Sequence, residues 1–196
     1  MKNIGQKERE MELMPKLRLG WLNGWLFLAF QSLITGILLA TVPRNVFRRL
    51  IDRSGFSKSQ KIMLVISKTI AVCDIVLITL TPLKIGSILF IIGTISLLIG
   101  LTGLTIAVFN FKNTPLDQPV ISGIYKLSRH PQNLMQTVST LGTCIAIGSW
   151  IALFVLILAK IPAHFVNIAE EECCIEKYGD SYREYMKRTP RYFLLL

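Results

Sequence analysis

The sequence predicts an all-α integral membrane protein of about five transmembrane helices, the last two a helical hairpin, with a cytoplasmic C-terminal cap. Three observations carry this expectation. Of 196 residues, 52% are hydrophobic and only 17% charged, where a soluble domain carries about 25% charge. Mean hydropathy is +0.50, and a soluble fold of this size has no interior large enough to hide so much apolar surface. The apolar residues also come in runs long enough to cross a hydrocarbon layer of about 30 Å. Finally, the Lys and Arg behind the net charge of +10 lie between those runs, as cytoplasmic loops require. That placement, with no aromatic RNA-binding signature and no basic amphipathic domain, argues against a nucleic-acid partner.

Residues 1–20 mix Lys2, Lys7, Arg9, Lys16 and Arg18 with Glu8, Glu10 and Glu12, a pattern that permits an amphipathic helix on the membrane surface. The run is no signal peptide, because the apolar stretch behind it is too long and has no small-residue cleavage site. The first span covers residues 21–42, with Trp21 and Trp25 as interfacial anchors and Pro43 as its stop. In the loop 43–61, Arg44, Arg48, Arg49, Arg53, Lys58 and Lys61 face only Asp52, which places this loop in the cytoplasm. The second span, 62–82, holds Lys68 and Asp74, both costly in hydrocarbon. Lys68 is expected to snorkel and Asp74 to face the bundle interior, with a polar substrate or proton contact as the alternative.

Pro82-Leu83-Lys84 makes a turn into the third span, 85–110, where Gly93, Gly100 and Gly103 permit close packing. Spans two and three are therefore expected to form a tight hairpin. Residues 111–133 are polar and broken by Pro115, Pro119 and Pro131. Residues 134–168 are apolar again, divided by Gly148-Ser149-Trp150 into the two arms of the last hairpin. The charged tail 169–196 breaks at Tyr178-Gly179-Asp180. There Ser181 with Glu184 reads as a capping box for a short helix ending before Pro190. The chain thus divides into 1–110, three membrane-anchoring spans, and 111–196, which holds the two polar segments and the last hairpin. The four cysteines, Cys73, Cys144, Cys173 and Cys174, lack zinc spacing, and neither a metal site nor a disulfide framework is expected. The C-terminus offers no prenylation cysteine.

Both polar segments carry unusual residues. The first reads Gly123-Ile124-Tyr125-Lys126-Leu127-Ser128-Arg129-His130-Pro131. The second holds Glu171-Glu172, then Tyr178, Tyr182 and Tyr185, then Arg188-Thr189-Pro190-Arg191. Although 41 residues separate His130 from Glu171, only the apolar hairpin lies between, and a hairpin returns its ends to one side. A pocket with Arg and His on one wall, carboxylates on the other and tyrosines around them suits a zwitterionic ligand. Carboxylates hold an ammonium, cationic donors hold a carboxylate, and aromatic faces attract a sulfonium.

Over residues 120–193 these motifs resemble the superfamily of isoprenylcysteine carboxyl methyltransferases and phospholipid methyltransferases. That family carries Gly-x-Tyr, Arg-His-Pro-x-Tyr, a hydrophobic hairpin, Glu-Glu, a Tyr-Gly-x-x-Tyr-x-x-Tyr stretch and a basic-Pro end. The resemblance implies S-adenosyl-L-methionine as cofactor, held under a cytoplasmic cap, and a lipophilic acceptor entering from the bilayer. Carried onto this chain, it implies Tyr125, Arg129, His130, Pro131, Glu171 and Glu172 at the cofactor, with His130, Arg129 and Glu172 nearest the chemistry. Tyr178, Tyr182 and Tyr185 are expected to shape the cap. Asn133 stands where the family has tyrosine, and Asn133 with His164 is the candidate substrate contact. His164 also reads as an ordinary core histidine of the last arm. Residues 101–110 carry no basic side chain where carboxyl methyltransferases of this type have an arginine upstream of Gly-x-Tyr.

The expected partners are a lipophilic or prenylated small molecule and membrane lipids. Two other readings remain open from the sequence alone. One is an NADPH-dependent enzyme like the membrane sterol reductases, and the other is a non-catalytic membrane module that binds a lipid or a protein.

Overall fold

The computed structural model describes residues 10–192. Within them lie seven α-helices and one short 3-10 helix, and no strand. The helices are α1 (Trp25–Ala40), α2 (Arg44–Ile51), α3 (Lys58–Leu80), α4 (Ile88–Lys112), α5 (Pro131–Ala146), α6 (Trp150–Tyr178) and α7 (Asp180–Arg188). Three of them, α3, α4 and α6, are long and apolar enough to cross a membrane, with 23, 25 and 29 residues. Helices α1 and α5 have 16 residues each, about 24 Å at 1.5 Å per residue, short of a perpendicular crossing.

The glycines of α4 do not do what their position in the sequence suggests. Helices α3 and α4 hardly touch, so the expected tight hairpin between them is absent. Instead α4 packs along α5, and α3 packs along α6. The reason is reciprocal smallness. A Cβ on Gly93 would strike the carbonyl of Gly142, and one on Gly142 would strike the carbonyl of Gly93. A Cβ on Gly100 would meet the backbone of Ser139 and Met135. Helix α5 offers Gly142 and Ser139 to this seam, whereas α3 has no glycine at all. Close backbone approach is available only where both helices carry small residues. Helix α1 bridges the two pairs, touching α3, α4 and α5, and its Gln31 accepts a hydrogen bond from Ser139 Oγ at 2.8 Å.

The turn between α5 and α6 forms at Gly148, whose φ of +64° suits glycine. Away from this turn the two arms lean on different partners, so the last hairpin is splayed rather than tight. Its second arm runs far beyond the apolar stretch. Helix α6 continues through Glu170-Glu171-Glu172 to Tyr178 and stops at Gly179, where φ is +58°. A change from apolar to charged residues marks a boundary of environment, and no breaker lies between Phe165 and Tyr178 to make it a helix end.

Two further expectations are corrected. Ser181 and Glu184 form no capping box. Ser181 Oγ donates to the Tyr178 carbonyl at 2.8 Å, and Glu184 pairs with Lys187 at 2.6 Å. The capping box lies instead at Ser57 and Gln60, opening α3. The surface helix expected over 1–20 falls partly outside the described residues, and residues 10–20 are not helical. Their backbone is engaged elsewhere. Glu12 N–H donates to Gly148 O at 2.8 Å, Trp150 N–H donates to Glu12 O at 3.0 Å, and Lys84 pairs with the Glu12 carboxylate at 2.6 Å. This strap closes the end of the bundle opposite the polar cluster described below. Asp74 faces the interior at 3% exposure, and Lys68 is exposed.

The glycine seam makes a direct prediction. Gly100→Val forces a side chain against backbone, which cannot move aside as a flexible side chain would, so it should destabilise the protein by about 1–3 kcal/mol. Gly36, with open space around its Cβ position, should tolerate alanine at no cost. Thermal unfolding in detergent micelles measures both, and equal midpoints for the two variants would remove the seam as a constraint.

Candidate active site

The polar cluster is assembled by three elements that meet at one end of the bundle. His130 is the N-cap of α5 and Pro131 its first residue, where a missing N–H costs nothing and the ring pre-sets φ. Just upstream, the 3-10 helix Gly123–Lys126 presents Tyr125, 6% exposed. Gly123 has φ +61°, and Asn110 reaches under it to accept from Ile124 N–H at 3.0 Å. Tyr125 is fixed on both sides. Gln132 donates to its hydroxyl at 2.9 Å, and Tyr185 donates to its carbonyl at 2.6 Å.

Glu171 is the hub. Its side chain is 3% exposed and takes four contacts. Arg129 Nε donates at 3.0 Å, Arg191 donates from Nε at 2.9 Å and from the guanidinium end at 2.8 Å, and His130 Nε2 lies at 3.0 Å. The chain around it is stitched to the same place. Arg129 N–H donates to Pro190 O at 3.0 Å, Ser128 Oγ donates to Arg191 O at 2.8 Å, and the Arg129 guanidinium reaches the carbonyls of Met186 and Thr189 at 3.2 and 3.3 Å. Arg191 was visible in the sequence only as part of a basic-Pro end, and its role as second clamp on Glu171 had no local signal.

Glu170 occupies the place expected for Glu172. Its carboxylate lies 3.5 Å from His130 Nδ1 and 2.7 Å from Arg53. Glu172 is exposed and accepts from Gln60 at 2.7 Å, away from Arg129 and His130. The cause is helical phase. Each residue of α6 turns about 100°, so Glu170 and Glu171 address the cluster while Glu172 turns on toward the start of α3.

Asn133 and His164 are brought into one polar chain by two residues that spacing did not reveal. Asn133 donates to Asn167 at 2.7 Å, Asn167 donates to the Tyr192 hydroxyl at 2.8 Å, and His164 Nδ1 lies 3.1 Å from that hydroxyl. Asn167 is 3% exposed.

A cavity of about 510 Å³ opens beside the cluster. Tyr125, Arg129, His130, Pro131, Asn133 and Glu170 line one side, and Tyr178, Tyr182 and Tyr185 form part of the cap. The remaining wall comes from residues read in the sequence only as a topological charge. Arg49, Arg53 and Phe56 line the cavity from α2 and the loop after it. Phe56, 4% exposed, packs on Val166 and Ala169 of α6. Gly55 is needed there because a Cβ would press on Cys173 Sγ at 2.8 Å. The cavity thus draws lining residues from both sides of residue 110.

The model of the phospholipid methyltransferase family matches residues 75–181. The chain belongs to that family. It is also 34% identical over 73 residues to the protein-S-isoprenylcysteine O-methyltransferase of Schizosaccharomyces pombe. That alignment covers 36% of this chain and 30% of the relative. No solved structure matches. The family match holds the Arg129-His130 segment, the hairpin and Glu170-Glu171 together in one block, and the wall built by Arg49, Arg53 and Phe56 lies outside it.

The environment of His130 sets a pH dependence. Burial opposes its charged form, but hydrogen bonds and charge from Glu170 and Glu171 outweigh that and raise its pKa above the usual 6.5. A histidine whose pKa is raised on folding stabilises the fold fully below its unfolded value, and this stabilisation is lost as pH rises through the folded value. Thermal unfolding of the protein should therefore show a loss on raising pH from about 6 toward 8 that His130→Gln abolishes. A variant with the same pH profile as the natural protein would show that His130 is not the titrating group.

Proposed function

We propose that this protein transfers a methyl group from S-adenosyl-L-methionine to a lipophilic acceptor at the cytoplasmic face of a membrane. The observation that carries the reading is the convergence of Arg129, His130 and Glu170 on one cavity at the ends of two membrane helices, with Glu171 buried behind them, within the block that matches the phospholipid methyltransferase family. In this reading α1 and α5 cross the bilayer with α3, α4 and α6, making five passes. The basic loop 43–61 and the C-terminal cap then share the cytoplasmic side, as their charge favours.

The residues present fit the cofactor. A cavity near 510 Å³ lies within the range of about 300–1,000 Å³ that small-molecule sites occupy. Glu170 offers a carboxylate for an ammonium group, and the ring of Tyr182 offers a face for a sulfonium. Tyr125, Arg129, His130 and Pro131 complete the binding wall, and Glu171 acts from behind it through the two arginines and the histidine it holds. When bound, the cofactor supplies an electrophilic methyl group on a sulfonium. The chain's part is to align the acceptor with that methyl and to exclude water, so that positioning supplies much of the rate. A carboxylate or thiolate acceptor needs no base. For an amine or phenol, His130 is the group in place. Its ring stands between the carboxylates of Glu171 at Nε2 and Glu170 at Nδ1, and Nδ1 is the nitrogen that could accept a proton once the ring is neutral and Glu170 turns to a ligand.

Asn133 lines the cavity and is joined through Asn167 and Tyr192 to His164, a polar chain that would give an acceptor head group partners. The relative's name supports the lipophilic class of acceptor, and the family match favours methyl transfer over the reductase and the non-catalytic readings.

Calorimetry with the full chain in micelles should show binding of S-adenosylhomocysteine and none of NADPH. Glu170→Gln should weaken that binding by about ten- to a hundredfold, the equivalent of a charged hydrogen bond, while Glu172→Gln leaves it unchanged. Loss in the second variant and not in the first would overturn the assignment of α6. Turnover supplies a separate check on the acceptor. With acceptors that share a head group, activity should climb steeply with tail length, since each buried CH₂ contributes about 0.8 kcal/mol. Equal turnover of short, water-soluble acceptors would exclude a membrane entrance.

A further inference from the structure

Three arginines line the cavity, and two of them have a carboxylate partner. Arg53 meets Glu170 at 2.7 Å, and Arg129 meets Glu171, which it shares with Arg191, at 3.0 Å. Arg49 is different. Among the described residues no carboxylate lies within ion-pair distance of it, although Asp52, Glu170 and Glu176 line the same cavity.

Its guanidinium is nonetheless fixed. It donates to the carbonyls of Pro115 at 3.0 Å and Gln118 at 2.7 Å. It also stands over two rings, 5.1 Å from the centre of Phe111 and 5.5 Å from that of Tyr178. These partners are uncharged, so they orient the group without cancelling its charge. An arginine has five N–H donors in a rigid fork, and the two carbonyls leave three of them unused. Tyr178 is itself tied to this loop, its hydroxyl donating to Leu116 O at 3.3 Å. A cation held in place and left without a counter-charge at a ligand cavity is prepared for an oxyanion, and the fork matches carboxylate or phosphate geometry.

We infer that Arg49, from the segment outside the family match, is a specificity-determining residue that binds an oxyanion of a ligand in this cavity. The inference deepens the proposed function and rests on it for the identity of the ligands. Two sources of the same chemistry fit: the amino-acid end of the cofactor and an anionic head group on the acceptor.

The experiment uses the full chain in micelles, with Arg49→Gln and Arg49→Lys, and two matched pairs of probes. S-adenosylhomocysteine against its decarboxylated form reports on the cofactor end. Dodecyl phosphate against dodecanol reports on the head group. Arg49→Gln is expected to lower affinity for the charged member of one pair by about tenfold or more and to leave its uncharged partner unaffected. Arg49→Lys should recover part of the loss, since it restores charge without the fork. The pair that responds identifies the source. If Arg49→Gln binds both charged probes as the natural protein does, the inference is overturned. If it weakens charged and uncharged probes alike, Arg49 only clamps the 113–120 loop, and the inference is again overturned. Failure of the natural protein to bind S-adenosylhomocysteine, with dodecyl phosphate binding still dependent on Arg49, would sink the methyltransferase reading and leave the oxyanion site standing.

Discussion

The buried carboxylate of Glu171 is the point on which the polar end of this bundle depends. From helix α6 it reaches both the segment before α5 and the segment after α7. A carboxylate so far from water is tolerable only if opposite charge and N–H donors surround it, and Arg129, Arg191 and His130 supply both. The requirement is mutual. The two guanidiniums need that carboxylate as much as it needs them, so none of these segments can settle alone. Removing a single partner of such a cluster leaves an uncompensated charge, which is why its members act as a unit rather than as separable contacts.

Glu170 extends the same logic outward. It faces the cavity, shares His130 with Glu171, and takes Arg53 from the other wall. Inner and outer carboxylates therefore have different roles despite being neighbours in sequence. The inner one is saturated by the protein and holds the scaffold. The outer one is partly exposed and lines the cavity between His130 and Arg53. The glycine seam between α4 and α5 supports this arrangement from below. It fixes α5 against α4, and with it the position of His130 at the N-cap.

Much of this was legible in the sequence, because hydrophobic runs and charge placement report directly on environment. The apolar spans, the Arg129-His130-Pro131 segment and the return of Glu171 to meet it across 41 residues follow from composition and from the way a hairpin closes. Three things were not legible, each for a physical reason. Choosing between Glu170 and Glu172 requires the phase of α6 relative to its neighbours, and phase is set by packing. The partner of the α4 glycines depends on small residues of another helix, and α5 carries Gly142 while α3 carries none. The basic loop 43–61 has a sufficient explanation in topology, so its charges gave no reason to look for a second role. Only folding shows Arg49 and Arg53 turned into the cavity.

Helix α6 joins the two environments in a single continuous element. Its lower turns carry Phe154, Ile157, Ile161 and Phe165, all exposed on the surface of the bundle as lipid-facing residues are, and its upper turns carry Glu170 and Glu171. Pro162 lies within the helix, buried, and the chain continues helical through it. Glu170 lies only five positions after Phe165, which at 1.5 Å per residue is about 7.5 Å along the axis. A ligand bound by Glu170 and His130 is thus within one or two helical turns of the hydrocarbon boundary. Under the proposed function this spacing does what the chemistry demands. A water-soluble donor and a lipid-soluble acceptor have no common solvent, and the reaction needs them in line and dry. A helix that carries its charged contacts just above its apolar face lets each reactant keep its own phase while their reacting atoms meet at the boundary.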